Sequence, residues 1–256
     1  MNMHTLSSIA VAAACVAPFC AAAADIFFAG DSTLAPRKGI KADAPETERC
    51  LGSWCEALAP YLKQGVNMHN LAVSGRSTKS FIDEGRWGKL IAQVKPGDYV
   101  YIQFGHNDQK QKDPKRYVSA EGGFSDNLAR FAAEVRAKGG RPVFGTPMVR
   151  RFYSKDGRIA DGLGKYPDAV RNMGRKLDVP VVDMNAFTRR IIEGTPKETS
   201  LTWFRAVVDG KDMTHPTKLG AKVFAKAFVE EVRINGLEMA TLFRDPATVK
   251  VADTDR

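Results

Sequence analysis

The 256-residue chain holds four histidines, and His215 follows Asp212 by three residues. That spacing lets a carboxylate reach Nδ1 of an imidazole in the same loop and fix its tautomer, leaving Nε2 free to take a proton. Pro216 biases His215 away from the helical region, so the ring is expected just outside a helix start. Such a base activates a hydroxyl. The candidate is Ser32, which follows the apolar run Ile26 to Ala29 through Gly30, a residue whose missing side chain permits a sharp turn. The chemistry this trio allows is acyl transfer through a serine nucleophile.

Acyl transfer also needs donors where the oxyanion develops. Ser32 N–H, the N–H of Gly75 and the side-chain amide of Asn107 are the candidates. Singly, each residue has a plainer reading: Ser32 as a helix N-cap, His215 as a capping residue beside a surface Asp212, Asn107 as a turn residue, Gly75 as a helix entry. Competing motifs are missing. Gly30-x-Ser32 is not followed by the glycine of a Gly-x-Ser-x-Gly elbow. Gly75 to Ser80 lacks the glycine that precedes the lysine of a phosphate-binding loop, and neither Gly-x-Gly-x-x-Gly nor His-Glu-x-x-His occurs.

These residues need a scaffold that gathers them. Short runs rich in Val, Ile, Phe and Tyr recur at Ile26 to Ala29, Val66 to Val73, Asp98 to Phe104, Arg141 to Gly145 and Val179 to Val182, as buried parallel strands do. Amphipathic stretches lie between them. Asp126 to Lys138 sets Leu128, Phe131, Ala132 and Val135 on one face, and Leu219 to Ile234 does the same with Val223, Phe224, Ala227, Phe228 and Val232. The alternation predicts one α/β domain over residues 25–243, a five-stranded parallel sheet covered on both faces, followed by a loose polar tail over 244–256. In such sheets ligands bind at the carboxyl ends of the strands. There the sequence supplies Asp31 and Ser32, Gly75, His106 to Asp108, and Arg150 with Arg151.

The apolar stretch Leu6 to Phe19, about 14 residues, is too short to span a bilayer, which takes about 20. With Ala22-x-Ala24 before Asp25 it reads as a signal peptide over residues 1–24, so the protein is expected to be secreted or periplasmic. In an oxidising compartment Cys50 and Cys55 are expected to close a disulfide, with Ser53 capping a helix that begins at Trp54. Of the four cysteines, Cys15 and Cys20 would leave with the signal peptide, and the two that remain, with few histidines, argue against zinc. The net charge is +9, from 38 Lys and Arg against 29 Asp and Glu. It is carried by a folded surface that favours acidic partners.

Gly30-Asp31-Ser32, Gly75, Gly105-x-Asn107-Asp108 and Asp212-x-x-His215 together resemble the four blocks of the SGNH (GDSL) hydrolases, in order and spacing, across nearly all of residues 25–236. Asn70 to Phe81 and Gln103 to Asp108 are similar to the rhamnogalacturonan acetylesterase branch; the chain departs from it at Pro216-Thr217. The resemblance implies a flavodoxin-like three-layer α/β/α sandwich that removes acetyl groups from pectic polysaccharide without metal or organic cofactor. It implies Ser32 as nucleophile, Asp212 and His215 as its triad partners, and Ser32, Gly75 and Asn107 as the oxyanion hole. Asp31, His106, Asp108, Arg150 and Arg151 are the candidate substrate-binding residues.

The loops carrying Lys110, Lys112, Lys115 and Arg116, and Arg150, Arg151, Lys155 and Arg158, lie on the same edge. They suit an acidic polysaccharide, since Arg pairs with carboxylates bidentately. Trp203 and Phe204 are either core residues or a sugar-stacking pair. No nucleic-acid or membrane partner is expected, and the oligomeric state is open. Esterase action on acetylated xylan or small acetyl esters is the alternative substrate reading; a non-catalytic binder of acidic polymers is the alternative class.

Overall fold

The computed structural model describes residues 24–37 and 39–249; the expected signal peptide lies outside the described residues, apart from Ala24. Five strands form one parallel sheet: β1 (Ile26–Gly30), β2 (Met68–Asn70), β3 (Tyr99–Gln103), β4 (Arg141–Gly145) and β5 (Val181–Val182). Their order is β2-β1-β3-β4-β5, with Phe28 beside Tyr101 and Tyr101 beside Val143. The order reverses between β1 and β3, which makes the gap beyond those two strands the switch point where α/β sheets bind ligands. The loops bearing Ser32 and Asn107 leave β1 and β3 there.

The helices among the described residues are α1 (Glu46–Arg49), α2 (Thr78–Asp83), α3 (Arg86–Ile91), α4 (Ser125–Ala137), α5 (Tyr166–Leu177), α6 (Met184–Glu193), α7 (Lys197–Leu201), α8 (Ala206–Asp209) and α9 (Lys218–Ile234). Alternate strand residues feed two apolar layers. Ile26, Phe28 and Tyr101 face Trp54, α6 and α9, while Phe27, Val100 and Ile102 face α2 to α5. The expected stripe on α4 is buried as predicted. On α9 Phe224, Ala227, Phe228 and Val232 are buried, and Val223 is half-buried. Trp203 and Phe204 are core residues, each packed edge-on against Phe224.

Several local expectations are corrected. The strand expected over 66–73 is regular only at Met68–Asn70; past it Leu71 N–H and Val73 N–H still donate to the Phe28 and Gly30 carbonyls, while the Asn70 side chain accepts from Ala72 N–H. The strand expected from Val179 starts at Val181: Pro180 has no N–H for the ladder and only its carbonyl is used, by Phe144 N–H. Ser53 does receive Glu56 N–H, but the turn it opens is a 3₁₀ helix over Glu56–Tyr61. Cys50 and Cys55 are both free thiols. Cys55 faces inward to Met68 Sδ at 3.9 Å and Cys50 lies against Thr47 O, so the short loop does not bring the two sulfurs together. The tail is not loose from 244: Asp245 caps a 3₁₀ turn over Pro246–Thr248, and Pro246 is buried.

Gly30 has a different reason from the one its position suggested. A Cβ there would stand 2.9 Å from the Gln103 carbonyl. The glycine lets β1 and β3 run close together just before Ser32, rather than enabling the turn itself.

Candidate active site

Ser32 begins a tight turn in which Leu34 N–H and Ala35 N–H donate to the Asp31 carbonyl. The Asp31 side chain accepts from Thr33 N–H and Thr33 Oγ1 and braces that turn from below. Ser32 Oγ lies 2.8 Å from His215 Nε2, and His215 Nδ1 lies 2.7 Å from Asp212 Oδ2. The other Asp212 oxygen accepts from Thr214 N–H at 3.0 Å and His215 N–H at 3.1 Å. Burial by itself would raise the Asp212 pKa; the hydrogen bond and charge of His215, with the two backbone donors, outweigh it and hold the carboxyl well below the usual range. An ionised Asp212 keeps a proton on Nδ1, so Nε2 faces the serine as an acceptor.

His215 is positioned from behind by α9. Thr217 caps that helix by accepting from Gly220 N–H, and Gly52 N–H donates to the Pro216 carbonyl, so the His-Pro-Thr segment is held at both ends. His69 is elsewhere, stacked on Phe27 and bonded to Asp25.

Among the described residues, Ser32 N–H and Gly75 N–H donate to no protein acceptor. Gly75 has φ +78°, a conformation that L side chains rarely adopt. Asn107 donates one amide proton to the Arg76 carbonyl at 3.1 Å, and its oxygen accepts from Lys110 Nζ and Arg116 Nη1. Its amide is thereby turned with the nitrogen toward the Gly75 loop, and one proton remains.

The five candidate substrate-binding residues divide. Asp31, His106 and Asp108 are buried. His106 Nδ1 is 3.2 Å from Asp31 Oδ2, tying the loop after β1 to the loop after β3. Asp108 accepts from Thr78 N–H, Thr78 Oγ1 and Gly105 N–H; burial pushes its pKa up to about 7 against those bonds. These three are framework, not substrate contacts. Arg151 is also buried: it donates to Ser200 Oγ and the Lys197 carbonyl and lies over the Tyr153 ring, joining its loop to α7. Arg150 stays at the site, with Nη1 3.3 Å from Thr214 Oγ1 and Nε buried without an acceptor. Burial lowers the Lys110 pKa, and the charges of Arg116 and Arg150 lower it further.

Two residues of the site carry no signal in the sequence. Arg37 Nη2 donates to the Ser32 carbonyl at 2.6 Å, and Arg205 Nε lies 3.6 Å from Asp212 Oδ2. Neither stands in a motif, and both are brought in by the folding of loops.

The model of the GDSL-like lipase/acylhydrolase family matches residues 28–223. The chain is 37% identical over 223 residues to rhamnogalacturonan acetylesterase RhgT of Bacillus subtilis, covering 84% of this chain and 91% of that protein. It is 29% identical to the probable rhamnogalacturonan acetylesterase YesY of the same organism, covering 84% and 94%. Among solved structures, Bacillus subtilis YxiM superposes with a TM-score of 0.72 at 23% identity, covering 84% of this chain and 58% of that one. Axe2, an acetylxylan esterase from Geobacillus stearothermophilus, superposes at 0.58 and 17% identity, covering 82% and 95%. At those identities the structural likeness speaks for the fold.

Proposed function

The chain belongs to the GDSL-like lipase/acylhydrolase family and is a carboxylic ester hydrolase, and we propose that it removes acetyl groups from rhamnogalacturonan through an acetyl-serine intermediate. The observation that carries the mechanism is the unbroken chain Ser32 Oγ–His215–Asp212, at 2.8 and 2.7 Å, between residues from opposite ends of the sequence. His215 Nε2 takes the Ser32 proton as Oγ attacks the acetyl carbonyl. The resulting oxyanion is held by Ser32 N–H, Gly75 N–H and the remaining Asn107 amide proton. Collapse expels the sugar hydroxyl, which receives its proton from His215. Water then enters, gives His215 a proton and releases acetate, restoring the serine.

The pectic substrate is supported by the relatives named for rhamnogalacturonan and by Lys110 and Arg116, which donate to Asn107, with Arg150 beside Thr214. Such a flank suits a polymer bearing uronate carboxylates. Export after cleavage between Ala24 and Asp25 belongs to the same reading; N-terminal sequencing of the protein recovered outside the cytoplasm tests it.

The decisive assay is acetate release from acetylated rhamnogalacturonan, acetylated homogalacturonan and acetylxylan, by the parent protein and Ser32→Ala. Release from rhamnogalacturonan that vanishes in the variant is expected. Release from xylan alone would keep the chemistry and overturn the substrate. No Ser32-dependent release would overturn the mechanism.

A further inference from the structure

Beside the nucleophile, on the face of the sheet that carries α9, the segment after Ser32, the stretch 49–57 and the first turn of α9 enclose a cavity of about 530 Å³. That is within the roughly 300–1,000 Å³ of ligand-binding clefts. Arg37, Lys41, Arg49, Lys218 and Lys222 line it, and the one carboxylate among them is Glu56. Glu56 is already engaged by Arg37 N–H at 2.9 Å. Arg49 is paired with Glu46. The lysines found in ion pairs are Lys79, Lys165 and Lys226, so among the described residues Lys41, Lys218 and Lys222 have no carboxylate partner.

Arg37 connects this cavity to the reacting centre. One end of its guanidinium donates to the Ser32 carbonyl, and its Nε is buried with no acceptor. Burial lowers its pKa, opposed first by the charge of Asp212. A buried cationic donor without a partner is unfavourable, and an anion held in the cavity that Arg37 lines would offset the charge of its guanidinium. Lys218 is three residues from His215 and two from Pro216, so the same short segment that positions the base also forms the cavity wall.

We propose that this cavity is an anion subsite that holds the carboxylate of a uronic acid in the polymer while a neighbouring sugar presents its acetyl group to Ser32. It lies on the α9 side of the nucleophile, whereas Lys110 and Arg116 belong to the loop that packs toward α2. A chain crossing the site therefore meets cations on both sides of the serine. The proposal rests on the rhamnogalacturonan reading for the identity of the polymer; the charge of the cavity stands without it.

The test separates the two. The Ser32→Ala protein, which keeps the Ser32 backbone and its bond to Arg37, is titrated calorimetrically with unacetylated oligogalacturonate. The same titration is run with Lys41→Glu and Lys218→Glu added. Both lysines are exposed, and an acidic residue at the first position of α9 suits its helix dipole, so folding is preserved. The expected result is binding that weakens about tenfold or more when the two charges are reversed. In the active enzyme the same pair should lower the ratio of kcat/KM on acetylated rhamnogalacturonan to kcat/KM on a neutral acetyl ester by a similar factor. Undiminished oligogalacturonate affinity in the double variant would overturn the subsite. So would displacement by inorganic phosphate at equal concentration, which would mark a general small-anion patch. Loss of the esterase reading would appear separately, as no Ser32-dependent hydrolysis of the neutral ester, and the titration would still decide the cavity.

Discussion

Two carboxylate–imidazole pairs meet at adjacent residues of the loop after β1, Asp212–His215 at Ser32 and His106 at Asp31, and their surroundings differ. Asp212 and His215 meet at 2.7 Å with side chains 16% and 28% exposed. Asp31 and His106 meet at 3.2 Å with side chains 1% and 4% exposed. The chemistry of the groups is the same. In the first pair the second ring nitrogen faces Ser32 Oγ; in the second it is buried with no partner. A general base needs a proton to take and an approach for substrate, and only the first pair has both. The buried pair instead joins the Ser32 turn to the Asn107 loop across the gap between β1 and β3. For Asp31 too, burial would raise the pKa, and the charge and hydrogen bond of His106 and the Thr33 bonds outweigh it. On the proposed mechanism, access alone separates the imidazole that takes the proton from the one that aligns the loops.

The comparison can be broken most directly at the two histidines. His215→Ala, like Ser32→Ala, is expected to lower turnover on an acetyl ester roughly 10⁶-fold. Asp212→Asn is expected to cost about 10⁴ by permitting the wrong tautomer. Single-turnover kinetics with each purified variant measure both. A His106 variant that loses as much turnover as His215→Ala would remove the distinction drawn above.

Asn107→Ala comes next. Loss of one oxyanion donor is expected to lower kcat by about 10²–10³ with little change in KM. A change confined to KM would move Asn107 from the reacting centre to the substrate cleft.

His106→Ala is expected to act chiefly on stability. It leaves the buried Asp31 carboxylate without its imidazole partner, a change worth about 1–3 kcal/mol, with turnover per folded molecule falling less than in Asn107→Ala. Denaturant unfolding alongside active-site titration reads the two effects separately. Intact stability with lost turnover would reverse the assignment.

The last effect concerns pH. The Asp108 carboxyl, raised to about 7 by burial, keeps a proton that the unfolded chain, near 3.9, releases. Its contribution is complete below about pH 4 and is lost as pH rises toward 7. Asp212 has the opposite sign: its depressed pKa stabilises the fold above about pH 4 and is lost as pH falls below it. Thermal midpoints from pH 3 to 8 should therefore show a gentle decline from pH 4 to 7 that Asp108→Asn flattens. A parent profile that rises through that window would contradict the assignment to Asp108.

Much of this was legible beforehand where local pattern decides the outcome. The α4 stripe, the α9 stripe and the strand at Arg141–Gly145 emerge as the spacing of apolar residues predicts, because periodic burial is a local constraint. The Asp212–His215 contact is equally local. Where one distant atom decides, the pattern was silent. Gly30 answers to the Gln103 carbonyl. Arg150 and Arg151 are adjacent and identical in type, yet one lies by Thr214 and the other is locked onto Ser200 and Lys197. Strand ends and loop directions separate them, and no one-dimensional signal distinguishes neighbours of equal type.

Residue types, their order and their periodicity were enough to determine an α/β layered domain, a serine–histidine–aspartate set and donors at three strand ends. Tertiary structure alone decided that a second imidazole–carboxylate pair, Asp31–His106, lies buried next to Ser32, that the cysteines stay apart, and that Arg37 and Lys218 line one cavity. The physical reason is range. Helix and strand formation depend on contacts a few residues apart, whereas access, burial and the electrostatics of a cleft depend on atoms brought together from far along the chain.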